Sequence, residues 1–193
     1  ANVNSYADLK GKALVTQPKG NTAEVLTAEI LKLNGMSYQS LSKANFQSSY
    51  TDAVSLLKDG HAQVMTLGTT APASAVMDLA SARDMKLVPV DDKTMSLLQK
   101  ENPGYQRLTI KAGTYPKQTQ DVPVIGYSTH IVASCDLPED TVYKMTKAMA
   151  QNVAAMAAVV KPITGLTPKD MAANIGVPLH KGAAKYYKEA GAI

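Results

Sequence analysis

Thr16-Gln17-Pro18-Lys19-Gly20-Asn21-Thr22-Ala23-Glu24 joins a strand to a helix, and this junction sets the fold class of the chain. The strand-like run Lys12-Ala13-Leu14-Val15-Thr16 breaks at Pro18 and Gly20. Beyond the break, Val25, Leu26, Ile30 and Leu33 recur at helical spacing, and Asn34-Gly35 is a stop signal. Asn21 is an N-cap residue, and Glu24 three positions on completes a pattern like a capping box. A glycine-containing turn into a helix leaves backbone N–H groups at the positive end of the helix dipole, a place that suits a carboxylate or phosphate. Many such turns only connect elements, so the spacing alone does not assign a function.

Working outward, strand and helix signals alternate through the first ninety or so residues. Tyr38 to Leu41 is a short extended segment, and Phe46 to Lys58 a helix with Tyr50, Ala53, Val54 and Leu57 on one face and Gly60 after its end. Gln63 to Leu67 is a buried strand ending at Gly68-Thr69-Thr70, and Pro72 fits the first turn of the next helix. Met85 to Val90 is a fourth strand, at an edge because it holds Pro89, and Asp92 caps a helix running towards Gln99. Such alternation predicts an α/β fold with a mainly parallel sheet, the α/β lobe covering residues 8–92. From Asn102 the pattern loosens. Tyr105 to Ile110 is a strand, and Val122 to Ala133 is a long extended segment. Asp136 and Pro138 open the longest helix, whose expected buried face is Val142, Met145, Met149, Val153, Met156 and Val160. A short helix starts at Thr167-Pro168, and a last one spans Lys181 to Ala190.

Composition narrows the function classes. The chain has 193 residues, 45% of them hydrophobic and 19% charged, which is globular in character, and no apolar run approaches a bilayer span. The net charge of +4 comes from 20 basic residues scattered among 16 acidic ones, with one Phe and no Trp for base stacking. Nucleic acid is therefore not the expected partner. The single cysteine, Cys135, rules out an internal disulfide and has no neighbouring base. His61, His130 and His180 stand in unrelated contexts without metal-ligand spacing, and no nucleophile elbow, dinucleotide fingerprint or Walker loop occurs. Asp91-Asp92 is explained by helix capping. Catalysis, a metal and a cofactor are accordingly not expected. What remains is a pair of loops, Thr16 to Thr22 with Gly20, Asn21 and Thr22, and Gly68-Thr69-Thr70-Ala71, each following the carboxyl end of an expected strand, the edge where open α/β sheets bind ligands.

Several segments taken together resemble the solute-binding subunits of TRAP transporters, TAXI family. They are Asp8-Leu9-Lys10-Gly11-Lys12, Pro18-Lys19-Gly20-Asn21-Thr22, Leu57-Lys58-Asp59-Gly60-His61-Ala62-Gln63, Ala112-Gly113-Thr114-Tyr115, Asp136-Leu137-Pro138-Glu139-Asp140-Thr141-Val142-Tyr143, and Val177-Pro178-Leu179-His180-Lys181-Gly182-Ala183-Ala184-Lys185-Tyr186-Tyr187. They keep their order over nearly the whole chain. The resemblance implies a periplasmic binding protein of type II-like, two-lobed design that closes on a small carboxylate or amino acid and delivers it to membrane permease subunits. On that footing Gly20, Asn21, Thr22, Gly68, Thr69 and Thr70 line the cleft of the second lobe. Members of the family carry most of their first lobe ahead of the Asp-Leu-Lys-Gly-Lys segment, whereas seven residues precede Asp8 here. The expectation is a fragment holding the second lobe, with crossover strands and C-terminal helices over residues 105–193 that would pack on the first lobe. Apolar surface exposed on those helices would favour self-association. The rival expectation from a different functional class is the effector-binding domain of a transcription regulator, which shares the two-lobed α/β design; an enzyme comes third.

Overall fold

The structure is a computed structural model and describes residues 2–193. It divides into two compact units, one ending at Tyr127 and the other spanning Ser128–Ile193.

The first unit is built around β1, Ala13–Thr16, whose four residues are all buried. On either side lie β2, Lys43–Phe46, and β3, Val64–Met65, both parallel to it in the order β2-β1-β3. Leu14 sits opposite Ala44 and Val64, and Val15 opposite Asn45 and Met65. Successive strand residues point to opposite faces, so a strand covered on both sides reads as a continuous apolar run. Leu14 packs with Val3, Leu9, Leu31 and Leu41 on one face, the side of α1 (Thr22–Leu33). Val15 packs with Ala53 and Ala62 on the other, the side of α2 (Tyr50–Lys58). The α/β class with a parallel sheet is as the junction at Gly20 predicts.

Two further helices and a hairpin complete the first unit. In the first unit, α3 (Ser74–Ala82) follows β3, and α4 (Asp92–Glu101) packs Met95 and Leu98 with Leu26 and Ile30 of α1. An antiparallel hairpin of β4 (Tyr105–Ile110) and β5 (Val122–Tyr127) pairs Tyr105 with Tyr127. Tyr105, Ile125 and Tyr127 join the α1–α4 cluster, which brings the end of β5 close to the first turns of α1.

Several local expectations are corrected. Tyr38–Ser40 is a 3-10 turn and the second strand lies just beyond it, at Lys43–Phe46, so α2 begins at Tyr50, capped by Ser49, and not at Phe46. Met85 to Val90 forms no strand. It runs without regular structure, Leu87 and Val88 entering two different apolar clusters while the Val90 N–H donates to the Pro123 carbonyl at 2.9 Å. Pro72 precedes α3, because Ala73 is the N-cap and its N–H is taken by the Tyr115 hydroxyl at 3.0 Å. Asp91, not Asp92, caps α4, accepting the Thr94 N–H at 2.8 Å and the Thr94 hydroxyl at 2.7 Å. These donors hold the Asp91 carboxyl below the usual carboxylate range. The extended segment from Val122 ends as a strand at Tyr127.

In the second unit, α5 (Glu139–Gln151) packs against α8 (Lys181–Glu189). The expected long helix breaks at Asn152 and resumes as α6, Val153–Ala157, with the Asn152 side-chain amide donating to the Ala148 carbonyl at 2.7 Å. Its buried side is also not the methionine stripe. Val142 and Thr146 are buried, whereas Met145 and Val160 are about half exposed. Thr146 tolerates burial because its hydroxyl donates to the Val142 carbonyl within the helix at 2.8 Å. After the short α7, Pro168–Met171, His180 caps α8: its Nδ1 accepts the Gly182 N–H at 3.1 Å. The structural role expected of His180 is thereby located.

Candidate functional site

The carboxyl ends of β1 and β3 lie side by side, and the loops that leave them carry the residues singled out from sequence. In the β1–α1 loop, Gly20 adopts a φ of +85°, a left-handed conformation that glycine takes without strain. Asn21 caps α1, its Oδ1 accepting the Ala23 N–H at 3.0 Å. Glu24 does not return to the cap residue itself. Its Oε2 accepts the Gly20 N–H at 3.0 Å, and its Oε1 accepts the Tyr38 hydroxyl at 2.9 Å. The Glu24 side chain is buried, so the positive end of α1 already faces an internal carboxylate. Burial first, and then the bond to Glu24, push the Tyr38 hydroxyl well above its ordinary pKa.

That arrangement divides the N–H groups of the loop. Gly20 donates to Glu24 and Asn21 donates to the Pro18 carbonyl at 3.0 Å, while the Thr22 N–H makes no hydrogen bond among the described residues. Thr22, Thr69 and Thr70 are exposed, and their hydroxyls form no hydrogen bond among the described residues. Gly68 to Thr70 stands several residues ahead of α3, so the second loop does not lead directly into a helix N-terminus as the first does.

Beneath the rim lies a buried polar cluster. Thr66 Oγ1 is 2.8 Å from both Thr16 Oγ1 and Thr27 Oγ1, and Thr27 donates to the Ala23 carbonyl at 2.6 Å. It ties β1, β3 and the first turns of α1 together and leaves the hydroxyls satisfied.

Three residues that sequence reasoning did not assign to the site also reach this edge. Gln17 donates through Nε2 to the Tyr50 hydroxyl at 3.1 Å, and Tyr50 donates to the Gly68 carbonyl at 2.9 Å. Tyr127 lies against the other side of Gly68: a Cβ built there would stand 1.9 Å from its hydroxyl oxygen and 3.4 Å from the Ala23 Cβ. Tyr50 looked like a residue of a helix's apolar face. The usable signal is Ser48-Ser49 ahead of it, a capping pair that starts the helix at Tyr50 and puts its ring at the carboxyl end of β2.

His61 and His130 are exposed, as is Cys135, and Asp92 pairs with Arg107 at 2.5 Å. Among the described residues, no group of three or more His, Cys, Asp or Glu could hold a metal ion, and no helix is long and apolar enough to cross a membrane.

The sequence profile of the NMT1-like family matches residues 1–191. The chain belongs to the NMT1-like family. Among solved structures, this NMT1-like chain is similar to the periplasmic aliphatic sulphonate binding protein SsuA from Escherichia coli, at 13% identity and a TM-score of 0.41. The match covers 98% of the NMT1-like chain and 55% of the sulphonate binding protein, so the chain spans about half the length of that protein.

Replacing the buried carboxylate tests the wiring of the loop. Glu24→Gln keeps the shape but substitutes an amide for the charge facing α1, and one of the two donors, Gly20 N–H or Tyr38 hydroxyl, loses its best acceptor. The expected loss of stability is about 1–3 kcal/mol, read from the denaturant midpoint. The Tyr38 pKa should fall in the same variant, seen by spectrophotometric titration. Unchanged values in both would mean that Glu24 does not hold the loop.

Proposed function

We propose that this chain is the ligand-binding part of an exported, periplasmic solute receptor of the TRAP type, TAXI family. It captures a small carboxylate or amino acid for membrane permease subunits and catalyses no reaction. The observation that carries this is the carboxyl edge of the parallel sheet. There Thr22 offers a hydroxyl and an N–H at the start of α1, and Thr69 and Thr70 offer two more hydroxyls, all exposed and unpaired among the described residues. Gly20 shapes the turn, Asn21 caps the helix by taking up the Ala23 N–H, which leaves the Thr22 N–H as the one for the ligand, and Gly68 positions the second loop. Such a set can hold an anion by hydrogen bonds, and it contains no nucleophile–base pair to transform one. Ordered resemblance of six segments to TAXI receptors and membership of the NMT1-like family support the same assignment.

Calorimetric titration with succinate and L-glutamate tests it. Thr22→Ala and Thr70→Ala should each weaken binding about ten- to a hundred-fold, since a hydrogen bond to a charged group contributes about 1.5–3 kcal/mol, while folding stays intact. Unchanged affinity in both variants would mean that the solute is held elsewhere.

A further inference from the structure

Gly68 is held from both sides. On one side the Tyr50 hydroxyl donates to its carbonyl, itself accepting from Gln17 Nε2, a relay that fixes the Gly68 peptide and the Gln17 amide together. On the other, the Tyr127 hydroxyl lies where any side chain at position 68 would have to begin. Space, not backbone strain, is what calls for glycine there. The two rings come from separate parts of the first unit, Tyr50 from the start of α2 and Tyr127 from the last residue of β5.

The hydroxyls differ in what they have left to do. Tyr50 both accepts and donates within the relay. Tyr127 is half-buried, yet its hydroxyl has no hydrogen-bond partner among the described residues. Its oxygen keeps access to solvent, so it is free to donate to an incoming group. Burial, followed by the nearby Tyr50, raises its pKa, so at neutral pH it stays protonated and is a donor. The free lone pairs of the Gln17 Oε1 and the three exposed threonine hydroxyls border the same edge, and none of these groups carries a formal charge. The nearest cation of the β1–α1 loop, Lys19, is placed over the Phe46 ring, 5.6 Å from its centre.

We propose that Tyr127 is a ligand-binding residue whose hydroxyl donates to a carboxylate oxygen of the solute above Gly68, with Gln17 and Tyr50 positioning the loop beneath it. The inference rests on the receptor function proposed above and extends it: the carboxylate is held by neutral donors, without a cation from this unit. A carboxylate can be bound this way because several O–H and N–H donors share its charge.

Titration of succinate and L-glutamate into the chain and its variants tests this. Tyr127→Phe keeps the ring and its packing with Leu26, Ile30 and Tyr105 while deleting the hydroxyl, so the melting temperature should stay within a degree or two of the parent. Binding of whichever probe the parent chain takes should fall about ten- to a hundred-fold. Gly68→Ala should lower it at least as far, because the new Cβ displaces Tyr127. If the parent binds a probe and both variants bind it equally well, Tyr127 is not a ligand residue, and the receptor function stands without it. If the parent binds neither probe, the receptor function falls and this inference falls with it.

Discussion

Leu14→Ala should lower the stability of the first unit by about 2–5 kcal/mol, towards the upper end because the site cannot readily collapse. Leu14 has no exposed surface and sits in the middle strand of the sheet. Its side chain meets Val3, Leu9, Leu31 and Leu41, which come from the N-terminal segment, α1 and the approach to β2. Because parallel ladders on both sides fix the backbone of β1, the neighbours can close the cavity only by bending the sheet. Amide exchange separates the units: protection should fall across β1 to β3 and α1 and change little beyond Ser128. Val159→Ala serves as the comparison, since Val159 is 86% exposed and its truncation should cost less than about 0.5 kcal/mol. Equal effects of the two substitutions would place the core elsewhere.

Gly182→Ala should destabilise the second unit, although helix propensity alone favours alanine by about 1 kcal/mol. An alanine Cβ at position 182 would stand 2.3 Å from the Glu139 carbonyl oxygen, 2.6 Å from the Tyr143 N and 3.0 Å from the Val142 Cβ. Two of these are backbone atoms of α5 and cannot turn aside as a flexible side chain would. Overpacking of this kind costs about 1–3 kcal/mol and at times more; with backbone atoms in the way the upper part of that range applies, so the clash outweighs the propensity and a net loss of about 1–2 kcal/mol is expected. Separation of the helices would also disturb Tyr143, which donates to Glu189 at 2.6 Å and meets Tyr186 edge-on at 6.1 Å. Near-ultraviolet circular dichroism should register that, since tyrosine is the dominant chromophore of a chain without tryptophan. A more stable variant with an unchanged spectrum would show that α8 is not seated on α5.

The fold was legible where local chemistry and tertiary context agree. Leu14-Val15 between Ala13 and Thr16 reads as a doubly covered strand, and Asn21 reads as a cap because its side chain competes for the N–H groups of the first turn. Lys43–Phe46 escaped because it is only four residues long and mostly half-exposed, so its polar–apolar alternation rests on Ala44 and Phe46 alone. It is a strand because β1 offers it an edge, and Asn45 adds a side-chain bond to the Leu14 carbonyl at 3.2 Å. Met85 to Val90 shows the reverse. Its apolar residues are wanted by two clusters rather than by a ladder, and Pro89 lacks an N–H to give. At the candidate site, the threonines of the two loops were visible as proposed ligand residues because strand ends and helix starts mark the sheet edge. Tyr127 was not, because its approach to Gly68 depends on the β4–β5 hairpin packing on α1, a contact between distant segments that no local pattern encodes.

The most direct test is to follow the backbone amides of the 15N-labelled chain by NMR while adding succinate and, separately, L-glutamate. If the carboxyl edge of the sheet is the binding site, saturable shifts appear first at Thr22, Thr69 and Thr70, with Gln17 and Gly68 following, and the core amides of β1 stay in place. The contrary result is that neither probe moves those resonances, or that the saturable shifts cluster elsewhere, for example along the small cleft lined by Glu29, Lys32, Leu98 and Glu101 between α1 and α4.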